Sequence, residues 1–273
     1  MCFNKVNPDS FAIIINCNIK IFRLITTKTT TNQYLFDHNG QIKKFNSVED
    51  IINGYVPVRY NFGNNDYIDK VSLTSKEFYN ELKNNPNHPQ TSQPTPGDFR
   101  KQYEFLSSHY KSLISIHLPK VLSGTMQSAK TASNKINNTD NISIIDSLSI
   151  SGGMGLIVTY AAEAVNIGYS KDEINQLISK IIPKTNVYAS VFNLSYSVKG
   201  GRIPKIVKTI SDIIKFNPIL SANELGKMKI SGGFFGKKNF AKKTANILLK
   251  KLDTNKTYRI IISHCNCKER ANN

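Results

Sequence analysis

The sequence predicts an α/β protein: one unit with a parallel sheet, then a second unit whose strands run in mixed directions. Two observations carry this. Short apolar runs alternate with helical patterns from Ser112 to Asn166, which is the order of βαβ units. Past Ser170, helix signals are followed by strand signals at Phe216 to Ser221, Lys227 to Ile230 and Tyr258 to Ser263.

Taken in order, residues 1–24 give a weak β signal and little else. The apolar run Phe11 to Ile15 is far too short to cross a bilayer and lacks the layout of a signal peptide. Within Tyr34 to Phe45, Asn39-Gly40 separates strand-like runs and signals a type I′ hairpin, because both residues accept positive φ. Ser47-x-x-Asp50 resembles a capping box that opens a short helix, with Gly54 as its stop. Tyr55 to Phe62 reads as one strand, with Val56, Val58, Tyr60 and Phe62 on one face. Thr74 caps a helix carrying Phe78, Tyr79 and Leu82. Asn84 to Pro96 is rich in Asn, Pro, Ser and Thr and reads as a loop.

Thr95 then offers an N-cap, Pro96 suits the first helical position, and Asp98 sits in the first turn. Phe99, Tyr103 and Leu106 form that helix's buried stripe. Ser112 to Leu118 and Asn141 to Asp146 are short and apolar, as buried parallel strands are. Helices are expected from Gly124 to Ile136 and from Met154 to Asn166. Ser170-Lys171-Asp172-Glu173 is a capping box that opens a helix to Ile182, which Pro183 breaks. Val187 to Phe192 reads as a strand, Lys205 to Ile214 and Asn239 to Leu252 as helices.

Two hydroxyl-rich stretches stand out: Thr91-Ser92-Gln93-Pro94-Thr95-Pro96-Gly97 and Leu122-Ser123-Gly124-Thr125. Each places hydroxyls and backbone N–H groups at a helix start, where a carboxylate or phosphate is held without a metal. Ligands of parallel sheets sit at the carboxyl ends of the strands, where the Ser123 loop leaves its strand. Gly200-Gly201 before Arg202 turns the backbone sharply, and a guanidinium gives two-pronged recognition of carboxylate or phosphate. The plain readings are an ordinary cap for Ser123 and a surface ion pair for Arg202.

The chain has 273 residues and a formal charge of +17, with 40% hydrophobic and 20% charged residues. That fits a globular protein with a real core. The charge admits nucleic acid, an acidic membrane surface or an acidic partner. It also follows from AT-rich coding, and the lysines are scattered rather than clustered. No stripe of Arg with interleaved aromatics supports a nucleic-acid reading. The cysteines, Cys2, Cys17, Cys265 and Cys267, form no disulfide framework, which points to the cytoplasm. His264, Cys265 and Cys267 lack the second ligand pair that zinc needs, so no metal is expected. No phosphate-cradling Gly-x-x-x-x-Gly-Lys is present and no Ser/His/Asp set stands out, so no catalytic residue is assigned.

These residues resemble the DegV family of fatty-acid-binding proteins. The ordered match runs through Val56-Pro57-Val58, Asn61-Phe62-Gly63, Ile68-Asp69 and Thr74-x-x-Glu77-Phe78-Tyr79. It continues through Thr91-Ser92-Gln93-Pro94-x-Pro96-Gly97-Asp98-Phe99, Ile114-Ser115-Ile116-His117 and Leu122-Ser123-Gly124-Thr125-x-Gln127-Ser128-Ala129. Asp146-Ser147, Gly153-x-Gly155-Leu156 and Gly200-Gly201-Arg202-Ile203 complete it.

The resemblance implies a two-lobe α/β protein, with a parallel three-layer lobe over residues 55–168 and a mixed-sheet two-layer lobe over 169–273. One long-chain fatty acid would lie between the lobes, its carboxylate presented to a separate fatty-acid kinase. The binder itself would not be an enzyme and would need no cofactor beyond this ligand. Thr91 and Ser92 would lie at the head group, Ser123 and the Gly124 N–H would bind the carboxylate, and Arg202 would lie near the same end. Tunnel walls would come from residues such as Ile157, Tyr160, Phe192 and Leu220. The family's opening strand, ending in Asp-Ser-Thr, is not found before Val56. Its closing Gly-x-His-x-Gly-Pro-Gly stretch is not reached by Asn273.

Residues 25–60 also resemble a segment of type II DNA topoisomerases: Thr26-Thr27, Asn32, Leu35-Phe36-Asp37-x-x-Gly40-x-Ile42-Lys43-Lys44-Phe45, Ser47-x-Glu49-x-Ile51-Ile52 and Tyr55-x-x-Val58-Arg59. That segment carries neither the DNA-linking tyrosine nor the magnesium carboxylates. It sets residues 1–54 apart as a divergent, foreign segment. The alternative to a lipid binder is therefore a basic DNA-associated protein or an inactive fusion.

Overall fold

A computed structural model describes residues 11–15, 23–26, 34–36, 42–44, 54–69, 71–136, 139–191, 194–203, 216–236, 238–253, 255–256, 258–265 and 267, and before Val56 the backbone alone. One sheet is wholly parallel. It is built from β1 (Phe11–Ile15), β5 (Gly54–Tyr55), β9 (Ser112–His117) and β10 (Ile142–Asp146), in the order β10-β9-β1-β5. The weak early β signal is thus an interior strand. Ile14 pairs with Gly54 on one side and Ser115 on the other. The first strand that the sequence reading does not find lies here. It was hidden because Asn16-Cys17-Asn18 follows it in place of Asp-Ser-Thr.

Helices cover both faces of this sheet, as βαβ order requires. Alternation along β9 sends Ile114 and Ile116 to one face and Leu113 to the other. The first pair packs with Met154, Ile157 and Val158 of α4 (Ser151–Asn166) and with Ile174 and Ile178 of α5 (Lys171–Ile181). Leu113 packs with Phe99, Tyr103 and Leu106 of α2 (Pro96–His109) and with Ala129 and Ala132 of α3 (Thr125–Ser133). The three residues of the expected α2 stripe are those that α2 buries. Capping boxes form at Thr74–Glu77 before α1 (Ser75–Asn84), at Thr95–Asp98 before α2, and at Ser170–Glu173 before α5.

Two expectations are corrected. Tyr55 to Phe62 is not one strand. It breaks at Val56–Val58, where Pro57 has no N–H to give a ladder, and resumes as β6 (Arg59–Phe62) in another sheet. The expected loop Asn84 to Pro96 holds a short strand, β8 (Gln90–Ser92), which pairs with β6 in the order β7-β6-β8, β7 being Asn65–Ile68. Polar composition hid it, because its three residues are exposed.

The second unit contains the antiparallel sheet β11 (Tyr188–Ser190), β12 (Phe216–Ala222) and β13 (Met228–Phe235), with α6 (Ser195–Lys199) and α7 (Phe240–Leu249). The expected strand at Lys227 is longer than its apolar residues suggest. A further pair joins β2 (Arg23–Thr26) to the late strand β14 (Arg259–Ile262). The hairpin strands β3 (Tyr34–Phe36) and β4 (Ile42–Lys44) are antiparallel. Their Asn39-Gly40 turn, the capping box at Ser47, the helix expected from Lys205, and Phe192 lie outside the described residues. Ile157 packs in the α4–α5 core, and Leu220 packs with Leu194 and Ile203. Tyr160 lies under the Arg259 guanidinium, 4.6 Å from its ring centre.

That guanidinium also holds Glu163 of α4, Nη1 to Oε2 at 2.7 Å, with side chains 19% and 13% exposed. Burial raises the Glu163 carboxyl, and Arg259 counteracts this. Removing one partner strands a buried charge. Arg259→Met is expected to cost about 3–5 kcal/mol in chemical denaturation, and the double change with Glu163→Gln clearly less. His117 is fully buried, and burial lowers its imidazole from 6.5 to about 4. The unfolded chain therefore takes up this proton first. Stability present above pH 6.5 is lost as pH falls toward 4, by about 3 kcal/mol from this group. Unfolding curves across that window should be flatter for His117→Asn than for wild type.

Candidate functional site

Two helix starts converge at the carboxyl end of β9, and they differ in chemistry. At α2 the Thr95 hydroxyl accepts from the Asp98 N–H at 3.1 Å. The Asp98 carboxylate in turn accepts from the Thr95 N–H at 2.9 Å and from Arg59 at 3.0 Å. Burial pushes Asp98 up, but the Thr95 and Arg59 bonds hold it below the usual carboxylate range. This helix start already owns an anion.

The α3 start is the open one. Its N-cap is Gly124, with no side-chain cap. The Ser123 hydroxyl accepts weakly from the Thr125 N–H at 3.3 Å and shares a 2.8 Å bond with the Thr125 hydroxyl. Ser123 is half-buried, so its oxygen stays within reach of a ligand.

Gln93 ties the two loops together. Its side-chain amide donates to the Ser128 hydroxyl at 3.1 Å, one turn into α3. Its Oε1 lies only 2.0 Å from where a Cβ on Gly124 would stand. Any side chain at Gly124 would therefore displace Gln93. The motif contained Gln93, but the hydroxyls beside it drew the sequence reading instead.

Thr91 and Ser92 are successive residues of β8, opposite Tyr60 and Arg59 respectively. Strand alternation turns them to opposite faces. Thr91 lines a cavity of about 340 Å³ with Val58, Tyr60, Leu73, Phe78 and Tyr79. Tyr79 is pushed up to about 12 by burial and by contact with Cys265. Ser92 faces away from that cavity.

Arg202 is exposed, and its guanidinium donates to the Gly200 carbonyl. The glycine turn thus folds it back on its own loop. The segment leading to it does reach the Thr91 loop. His88 stacks on Tyr196 of α6 with ring centres 5.4 Å apart. Burial, then the charge of Lys199, lowers the His88 imidazole.

A second contact joins the units at the strand ends. Gly226 turns between β12 and β13 at φ +78, and a Cβ there would stand 2.6 Å from Pro119 and 3.2 Å from the Leu148 backbone. Only glycine fits this turn against the loops that leave β9 and β10. Those loops are bound to each other by Asp146, which accepts from the Lys120 N–H at 3.3 Å and the Leu148 N–H at 3.0 Å. Leu148 and Ser151 hold positive φ, at 50° and 49°, a costly conformation that clusters at binding sites.

Among the described residues, no group of three or more His, Cys, Asp or Glu is placed to hold a metal ion. In the same residues, no helix is long and apolar enough to cross a membrane.

The family model described as "Uncharacterised protein, DegV family" matches residues 48–273. A DegV domain-containing protein of Clostridium acetobutylicum is 34% identical over 198 residues, covering 72% of this chain and 70% of that protein. One from Staphylococcus aureus is 35% identical over 164 residues, and the chain spans only 58% of that relative's length. Among solved structures, the fold is similar to a DegV family protein of Thermus thermophilus described for fatty-acid binding, with TM-score 0.64, 24% identity and coverage of 72% and 69%. It is similar to the fatty acid kinase B3 protein of Streptococcus pneumoniae loaded with linoleic acid, at TM-score 0.65, 23% identity and coverage of 73% and 72%. A Ruminococcus gnavus structure with vaccenic acid covers 98% of this chain and 87% of its own, at TM-score 0.73 and 18% identity. With its sheets, its crevice loops and its matched sequence in agreement, the chain belongs to the DegV family.

Proposed function

We propose that this protein is a non-catalytic carrier that holds a long-chain fatty acid between two lobes and presents the carboxylate to a fatty-acid kinase in the cytoplasm. The observation that carries the reading is the joined pair of loops: Gln93 bonded to Ser128 across Gly124. It keeps an uncapped helix start facing the Thr91 loop. An uncapped start offers N–H groups and a positive dipole end to a carboxylate.

Ser123 and the Gly124 N–H are the carboxylate donors, with Thr91 and Ser92 on the neighbouring strand. Arg202 reaches the same end by leaving the Gly200 carbonyl, since an exposed arginine reorients at little cost. Each charge-assisted bond contributes ~1.5–3 kcal/mol. The acyl chain contributes about 0.8 kcal/mol per buried methylene. Affinity therefore rests on the tail, and orientation on the loops. Support for the ligand comes from the solved relatives described with bound linoleic and vaccenic acids.

Native mass spectrometry of protein purified from bacteria tests the reading. A co-purifying fatty acid is expected, with affinity about tenfold weaker in Ser123→Ala. Empty wild-type protein would contradict it, and empty protein that retards DNA would favour the nucleic-acid alternative. Gly124→Val is expected to displace Gln93 and weaken binding about as much, with the folded circular-dichroism spectrum kept. Full binding in that variant would show that the loops need no tie.

A further inference from the structure

A buried polar chain joins α2 to the carboxyl end of β9. Tyr103 of α2 donates its hydroxyl to the Ser115 oxygen at 2.8 Å, and Ser115 lies 2.8 Å from His117 Nε2. All three side chains are fully buried. The proton positions follow from the donors. Ser115 accepts from Tyr103, so its own proton is free to go to Nε2. A buried imidazole is neutral, and its one proton must then sit on Nδ1. That Nδ1 is buried and, among the described residues, has no hydrogen-bond partner. A buried N–H donor without an acceptor costs about 1–3 kcal/mol, so such groups call for an explanation.

Its position supplies one. His117 ends β9, and its ring stands edge-on to Phe99, 5.4 Å between centres, in the first turn of α2. The chain then passes Pro119 and rises to Ser123 and the open start of α3. The side chain therefore lies on the α2–α3 face of the sheet, at the level where both helices begin. On the neighbouring strand, Asp146 pairs opposite it, and its carboxylate is already taken by Lys120 and Leu148 N–H groups. That carboxylate does not answer the His117 proton.

We infer that His117 is a further head-group residue, whose Nδ1–H donates to an oxygen that the bound acid brings: its carboxylate, or water carried in with it. The inference rests on the proposed fatty-acid reading and adds a donor to it. Tyr103 and Ser115 act as positioning residues, because they hold the imidazole in the tautomer that donates toward the site.

Side-chain ¹⁵N NMR of histidine-labelled full-length protein, with and without oleic acid, tests this. At pH 7 the unloaded protein should show His117 neutral with its proton on Nδ1. Saturation with oleic acid should move that N–H resonance downfield and slow its exchange. His117→Asn keeps an N–H near the Nδ1 position and should bind within about threefold of wild type. His117→Leu should lose about tenfold. Ser115→Ala should shift the proton toward Nε2 and weaken binding without touching the ligand. If oleic acid binds one-to-one while the resonance stays in place, the inference is overturned and the carrier reading stands. The same holds if His117→Leu binds normally. If oleic acid does not bind wild-type protein at all, both fall. The spectra of wild type decide the matter even where a variant fails to fold.

Discussion

The site depends on one amide. Gln93 reaches from the loop before α2 to Ser128 in α3 and lies against Gly124 on the way. Without that bond the two loops are separate caps on separate helices. With it, they form one wall. The bond is neutral and partly buried, worth about 1 kcal/mol in isolation. Its effect is geometric: it fixes where the only uncapped helix start of the pair faces.

That asymmetry between the two starts follows from local sequence. Asp98 stands three residues after Thr95 and closes a reciprocal box, so α2 neutralises its own dipole end. Gly124 has no side chain to do the same for α3. A ligand carboxylate at α3 would therefore complete the helix as Asp98 completes α2. The second unit meets the first through separate contacts, among them Gly226 on Pro119, Tyr196 on His88 and Arg259 on Glu163.

Much of the fold was legible because it rests on local rules. The caps at Thr74 and Thr95, the box at Ser170 and the stripe Phe99, Tyr103, Leu106 are written in short spacings, and they stand where those spacings put them. The parallel strands β9 and β10 were legible as apolar runs. What escaped was set by distant partners. β1 is an interior strand only because β5 and β9 flank it, and β8 is a strand only because β6 offers it a ladder. The site divided the same way. Hydroxyls at a helix start can be read from Ser123, but the tie through Gln93 and the buried Ser115–His117 bond belong to contacts 35 and 2 residues apart that no periodicity reveals. The folded-back guanidinium of Arg202 likewise depends on a local carbonyl, not on the motif that singled it out.

The most direct measurement is a crystal structure of the protein grown with oleic acid. Its carboxylate is expected within hydrogen-bond reach of the Ser123 hydroxyl and the Gly124 N–H, beside the Gln93 side chain. A carboxylate resting elsewhere, with the α3 start left to solvent, would contradict it.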